Sequence, residues 1–200
     1  MTADELPIDR RSLLKKTAVA GLTAGLAAGN TAASDAESPA RDVERGDAES
    51  LLESHGGELL AMLDEEDVLA DGGTSELATG RSTSPEAPLR GESGTALVES
   101  GVAPARLVTV TEVDDGTLTV SVEPDTGKSY AFLDDGESTT LYNPDVGTLD
   151  ADALPQTDHC SQLACLSGDG SCYASGALTY DGERVGTQAS CCSYYECTNP

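Results

Sequence analysis

The chain has no tryptophan and one phenylalanine, Phe132, among its 200 residues. Hydrophobic residues make up 38%, and much of that share is alanine in the first third. So small a supply of bulky side chains excludes a large core, and some stretches are expected to stay unordered because burial cannot repay the entropy of fixing their backbone. Lysine all but disappears after residue 16, where only Lys128 remains. Eleven basic residues face 36 acidic ones, for a net charge of -25. Phosphate recognition needs clustered Lys and Arg, so this balance excludes nucleic acid as a partner and disfavours anionic membranes. No apolar run reaches the roughly 20 residues that cross a bilayer, so stable membrane insertion is not expected.

Catalytic signatures are also missing. Gly91-Glu92-Ser93-Gly94 fails as a nucleophile elbow because Thr95 stands where the pattern requires glycine. The two histidines, His55 and His159, lie far apart in the chain and in no metal-ligand spacing. The acidic turns lack the alternating Asp ladder and closing Glu of a calcium loop. The sequence therefore predicts no enzyme, no catalytic residue, no metal and no cofactor.

What is present begins at the N-terminus. Asp9-Arg10-Arg11-Ser12-Leu13-Leu14-Lys15 precedes a mildly apolar, Gly- and Ala-rich stretch from Thr17 to Gly29, and small residues follow at Thr31-Ala32-Ala33. The order basic, apolar, small is that of an export signal too short to anchor. The segment resembles the twin-arginine signal, matching its consensus at Arg10, Arg11, Leu14 and Lys15 and departing from it at Asp9 and Leu13. The resemblance implies residues 1–33 as signal peptide, cleavage after Ala33, the twin-arginine translocase as a partner, and a secreted, extracellular product that crosses the membrane already folded. Without residues 1–33 the chain holds 33 acidic and 7 basic residues. These acids are spread through every segment rather than gathered in a tail. That pattern resembles secreted proteins of extreme halophiles, in which carboxylates hold water at the surface while salt near 1 M, with a Debye length of about 3 Å, screens their repulsion.

Beyond the signal, residues 34–46 read as a disordered linker. A helix is expected from Asp47, capped by that residue, with Leu51, Leu52, Leu59, Leu60 and Leu63 on one broad side. Gly56-Gly57 interrupts it, at about 1 kcal/mol per glycine, and suits two short helices; His55 beside the break reads as exposed polar filler. Residues 71–95, rich in Gly, Ser, Thr, Pro and Glu, read as a flexible connection. Alternating, β-branched runs at 106–113, 117–122, 129–133 and 138–142 are separated by Asp114-Asp115-Gly116, Pro124-Asp125-Thr126-Gly127 and Asp134-Asp135-Gly136-Glu137. Turn chemistry and period predict a four-strand antiparallel meander, with Asp114, Asp115, Asp134 and Asp135 as turn formers. The fold class expected is a small α+β one: a helix and this meander forming an acidic leader domain over 47–145, a hinge at 146–157, and a disulfide-rich C-terminal module at 158–200.

All six cysteines lie in that last segment: Cys160, Cys165, Cys172, Cys191, Cys192 and Cys197. An even count confined to the tail of an exported chain reads as a disulfide framework. Six cysteines allow 15 pairings, and removing those that join vicinal Cys191 and Cys192 leaves 12. The segment is too small to bury much surface alone, and each bridge would add about 2–4 kcal/mol by restricting the unfolded chain. Zinc is the rival, with His159 beside Cys160, but no Cys-x2-Cys spacing occurs. The charge changes here too: residues 34–154 hold 28 acids and 6 bases, residues 155–200 only 5 acids and 1 base.

Signal, acidic leader and compact Cys-rich tail together resemble the precursors of microhalocins, secreted antimicrobial peptides of haloarchaea. The resemblance implies a secreted precursor whose C-terminal tail is the active, disulfide-stapled, halocin-like peptide, with the preceding segment as carrier or immunity part. The alternative is an unprocessed extracellular binding or structural protein, in which Tyr194 and Tyr195 are contact candidates. Neither reading names an extracellular target.

Overall fold

The computed structural model describes residues 40–70, 72–80, 83–99, 104–156, 164–165 and 172–190, all within the unit Ser34–Pro200. The signal residues Arg10, Arg11, Leu14 and Lys15, the cleavage position Ala33, and Cys160, Cys191, Cys192 and Cys197 lie outside the described residues, as do His159, Tyr194 and Tyr195.

The described residues begin with strand β1 (Ala40–Arg41) and two helices, α1 (Arg45–His55) and α2 (Gly57–Glu65). The break falls at Gly56, whose amide still donates to the Leu52 carbonyl at 2.7 Å. Glu44, not Asp47, occupies the N-cap position; Asp47 lies in the first turn, where its charge suits the helix dipole. Six strands follow: β2 (Gly94–Val98), β3 (Arg106–Val113), β4 (Gly116–Glu123), β5 (Lys128–Asp134), β6 (Thr139–Asn143) and β7 (Gly147–Asp150). With β1 they form one seven-stranded antiparallel sheet in strict chain order. Three more strands close the described chain, β8 (Ala164–Cys165), β9 (Cys172–Tyr180) and β10 (Glu183–Ser190), with β9 between the other two.

The expected fold class is therefore corrected. The four predicted strands are present as β3 to β6, but the protein is mostly β, and its main sheet has seven strands, not four. Residues expected to be flexible hold two 3-10 turns, Thr74–Glu76 and Ala87–Arg90, and the start of β2. The expected hinge holds β7 and a further 3-10 turn, Ala151–Ala153. Within the C-terminal segment β9 and β10 form a hairpin across Asp181-Gly182, both at positive φ (51° and 81°) as a tight two-residue hairpin turn requires. A self-contained disulfide-rich module is not what the described residues form, because this hairpin takes its burial from the main sheet.

The pleat decides which side chains meet which cover. Leu107, Leu118, Val120, Val122, Ala131 and Leu133 face the helices and pack with Leu52, Leu59, Leu60 and Leu63. Each fully buried leucine stabilises the fold by about 1.5–3 kcal/mol relative to exposure. The opposite face carries two smaller clusters. Ala96, Val98, Val108 and Val110 pack with Ala40 and with Leu89 of the Ala87–Arg90 turn. Tyr130, Phe132 and Leu141 pack with Ala151 and with Leu178 and Val185 of the hairpin. Tyr130 and Phe132 meet edge to face at 5.8 Å between ring centroids.

Two turns show why their residues are there. At the β5–β6 turn the Asp134 carboxylate accepts from the Gly136 amide, and Asp135 accepts from the amides of Glu137 and Ser138, each at 2.8 Å. These bonds hold the Asp135 carboxyl below its usual range. Gly116, which starts β4, has φ +142°, and a Cβ there would stand 2.2 Å from the Asp134 carbonyl oxygen. Gly116→Ala is expected to cost about 2 kcal/mol or more, since both backbone strain and a backbone clash oppose it; the urea midpoint at unchanged slope would report it.

Candidate ligand groove and the buried ion pair beside it

The two covers on the sheet's second face do not meet. Between the Ala87–Arg90 turn and β10 lies a groove of about 380 Å³. Its floor is the outward register of three strands: Arg106 and Val108 from β3, Thr117, Thr119 and Ser121 from β4, Phe132 and Asp134 from β5. Pro88, Leu89 and Arg90 make one wall; Thr187 of β10 and Thr139 make the other. Sequence alternation places these hydroxyls: in β4 every second residue from Leu118 to Val122 is apolar and faces the helices, so Thr117, Thr119 and Ser121 share the other face.

One wall of the groove is anchored by a buried ion pair. Glu123, at the end of β4, is fully buried. Arg184 of β10 grips it with two nitrogens, Nη1 to Oε1 and Nη2 to Oε2, each at 2.5 Å. Arg184 Nη1 also donates to Thr187 Oγ1 at 2.9 Å, tying the pair to the groove wall. Thr126 Oγ1 donates to Glu123 at 2.8 Å, and the Tyr130 hydroxyl donates at 3.4 Å. Burial pushes the Glu123 carboxyl up, but the hydrogen bonds from Arg184 and Thr126 and the charges of Arg184 and Arg106 outweigh it and hold the carboxyl below its ordinary range. Arg184 is in turn raised, chiefly by its hydrogen bonds to Glu123.

A β-bulge completes the attachment. Arg184 pairs with Thr179 and Gly186 with Leu178, which leaves Val185 as the extra residue. Its carbonyl accepts from Asn143 Nδ2 at 2.6 Å, and the Arg184 carbonyl accepts from Lys128 Nζ at 2.9 Å. Gly186 sits under the Phe132 ring, where a Cβ would come within 3.1 Å of Cζ. The segment after β7 joins in: Gln156 bridges to Leu178, and the Pro155 carbonyl accepts from the Thr179 amide at 3.0 Å.

Chemically the groove offers hydroxyls, two guanidinium groups, the Asp134 carboxylate and a short apolar rim. Arg90, Arg106 and Arg184 are three of the seven bases beyond residue 33, so the groove and its wall concentrate cations in a strongly acidic chain. Arg90 pairs with Glu86 at 3.1 Å. Such a lining is chemically suited to polar or anionic groups.

Of the sequence-predicted site residues, Cys165 and Cys172 fall in described strands, as cross-strand partners in the β8–β9 register. His55 is half-buried rather than exposed and borders a second depression with Glu53, Glu58 and Asp145. Glu123, Arg184 and the groove were missed by sequence reasoning. One signal was available: Arg184 is the sole base after residue 154.

No family model matches the chain, and no curated protein or solved structure matches it.

Proposed function

We propose that the chain is an exported extracellular binding protein that works uncut, and that a small polar or anionic ligand occupies the groove between the Ala87–Arg90 turn and β10. One observation carries the choice over a peptide precursor: the β9–β10 hairpin supplies Leu178 and Val185 to the core above Tyr130 and Phe132, and supplies Arg184 to the buried Glu123. A tail built for release would leave behind an exposed apolar face and an unpaired buried carboxylate. Export by the twin-arginine route rests on the Arg10-Arg11 motif and on the acidic composition of the remainder.

Intact-mass analysis of the culture supernatant tests the proposal. The expected species starts near residue 34 and runs to Pro200, and it should vanish from the supernatant when Arg10 and Arg11 are both changed to lysine. A released species of about 45 residues from the C-terminal end would overturn the reading in favour of a halocin-like precursor.

A further inference from the structure

The register of β8 against β9 restricts how the cysteines can join. Ala164 pairs with Tyr173, and Cys165 pairs directly with Cys172. Directly opposed residues of an antiparallel pair have Cα atoms about 4.5 or 5.5 Å apart, according to their place in the ladder. Both values lie inside the roughly 4.4–6.8 Å that a disulfide spans. Six residues, 166–171 (Leu-Ser-Gly-Asp-Gly-Ser), separate the two cysteines in the sequence.

We infer that Cys165 and Cys172 form a cross-strand disulfide that closes the β8–β9 connection. The inference rests on the proposed export, since a bridge of this kind persists only in oxidising surroundings. It also narrows the framework: with this bridge made and the vicinal pair excluded, four cysteines remain in two arrangements. Either Cys160 joins Cys191 and Cys192 joins Cys197, or Cys160 joins Cys192 and Cys191 joins Cys197. Formation needs an oxidant, here a low-molecular-weight disulfide. One cysteine thiolate attacks it, releasing one small thiolate and leaving a mixed disulfide; the second cysteine thiolate then displaces the other small thiolate. Two cysteine thiols lose two electrons and two protons, and one small disulfide becomes two small thiols.

Peptide mapping of the full-length exported chain, alkylated without reduction and cut at Leu163 and before Asp169, tests the inference. The expected product joins the peptide of Cys165 to that of Cys172. A Cys165→Ser variant should then gain one alkylatable thiol, located at Cys172. Cys165 or Cys172 bridged to any other cysteine overturns the inference while leaving export intact. Six alkylated thiols in supernatant material overturn it in the same way. Six alkylated thiols in material retained inside the cell bring down the export reading and the bridge together.

Discussion

Replacing Arg184 with alanine is expected to destabilise the folded chain by about 3–5 kcal/mol, because it strands a fully buried carboxylate without its partner. Glu123→Gln should cost less, since it leaves a neutral amide that still accepts hydrogen bonds and an Arg184 head partly open to water. The double change Glu123→Leu with Arg184→Met should recover most of the loss, as apolar replacements of similar size do for buried pairs. Urea unfolding of these chains, with Glu123→Leu and Arg184→Met measured singly to close the cycle, reports each cost. Acid should act through the same pair. The Glu123 carboxyl is lowered in the folded chain, so its contribution is complete above the unfolded value of about 4.3 and fades as pH falls through the folded value below it. Glu123→Gln should therefore flatten the fall in stability between pH 5 and acid; an unchanged fall would assign acid sensitivity to other carboxylates. Salt distinguishes this pair from those on the surface. Arg41–Glu99 and Arg45–Glu49 are exposed and should contribute little in concentrated salt, whereas the Arg184 effect should persist.

A chain ending at Gln156 is expected to lose about 5 kcal/mol or more, comparable with the whole stability of a small domain. It would expose the side of Tyr130, Phe132 and Leu141 that Leu178 and Val185 cover, at about 1.5–3 kcal/mol for each large apolar group uncovered, and it would leave Glu123 unpaired. The expected result is a broad, weakly cooperative urea transition and binding of hydrophobic dye. Cooperative unfolding at the full-length midpoint would show instead that residues 34–156 form a self-sufficient leader.

The middle of the fold was legible because it is redundant in signal. Strands β3 to β6 alternate over five to eight residues and are separated by Asp- and Gly-rich turns, so period and turn chemistry point the same way. The ends were not. β1 has two residues and β7 four, too few for a period to register. The C-terminal hairpin reads as poor in apolar groups, yet among the described residues Leu178 and Val185 cover a face built elsewhere. Part of the hairpin's burial lies far upstream in sequence, on the face of Tyr130 and Phe132, so a thin local supply does not measure how the segment is held. The groove escaped for another reason. Thr117, Thr119 and Ser121 form the polar half of an alternating strand, and such a half looks the same in sequence whether it faces open water or a cleft. Glu123 continues that polar half, and nothing local marks it as an acid that is buried.

The brevity of β7, the outermost strand at one edge of the main sheet, has its own consequence. A sheet ends in unpaired amides and carbonyls, an invitation to the next molecule, and many proteins decline it with charge. In molar salt, charge would reach only a few ångströms. A rim four residues long at β7 gives a second chain little to zip onto, so that edge can stay unpaired by geometry where repulsion has lost its range.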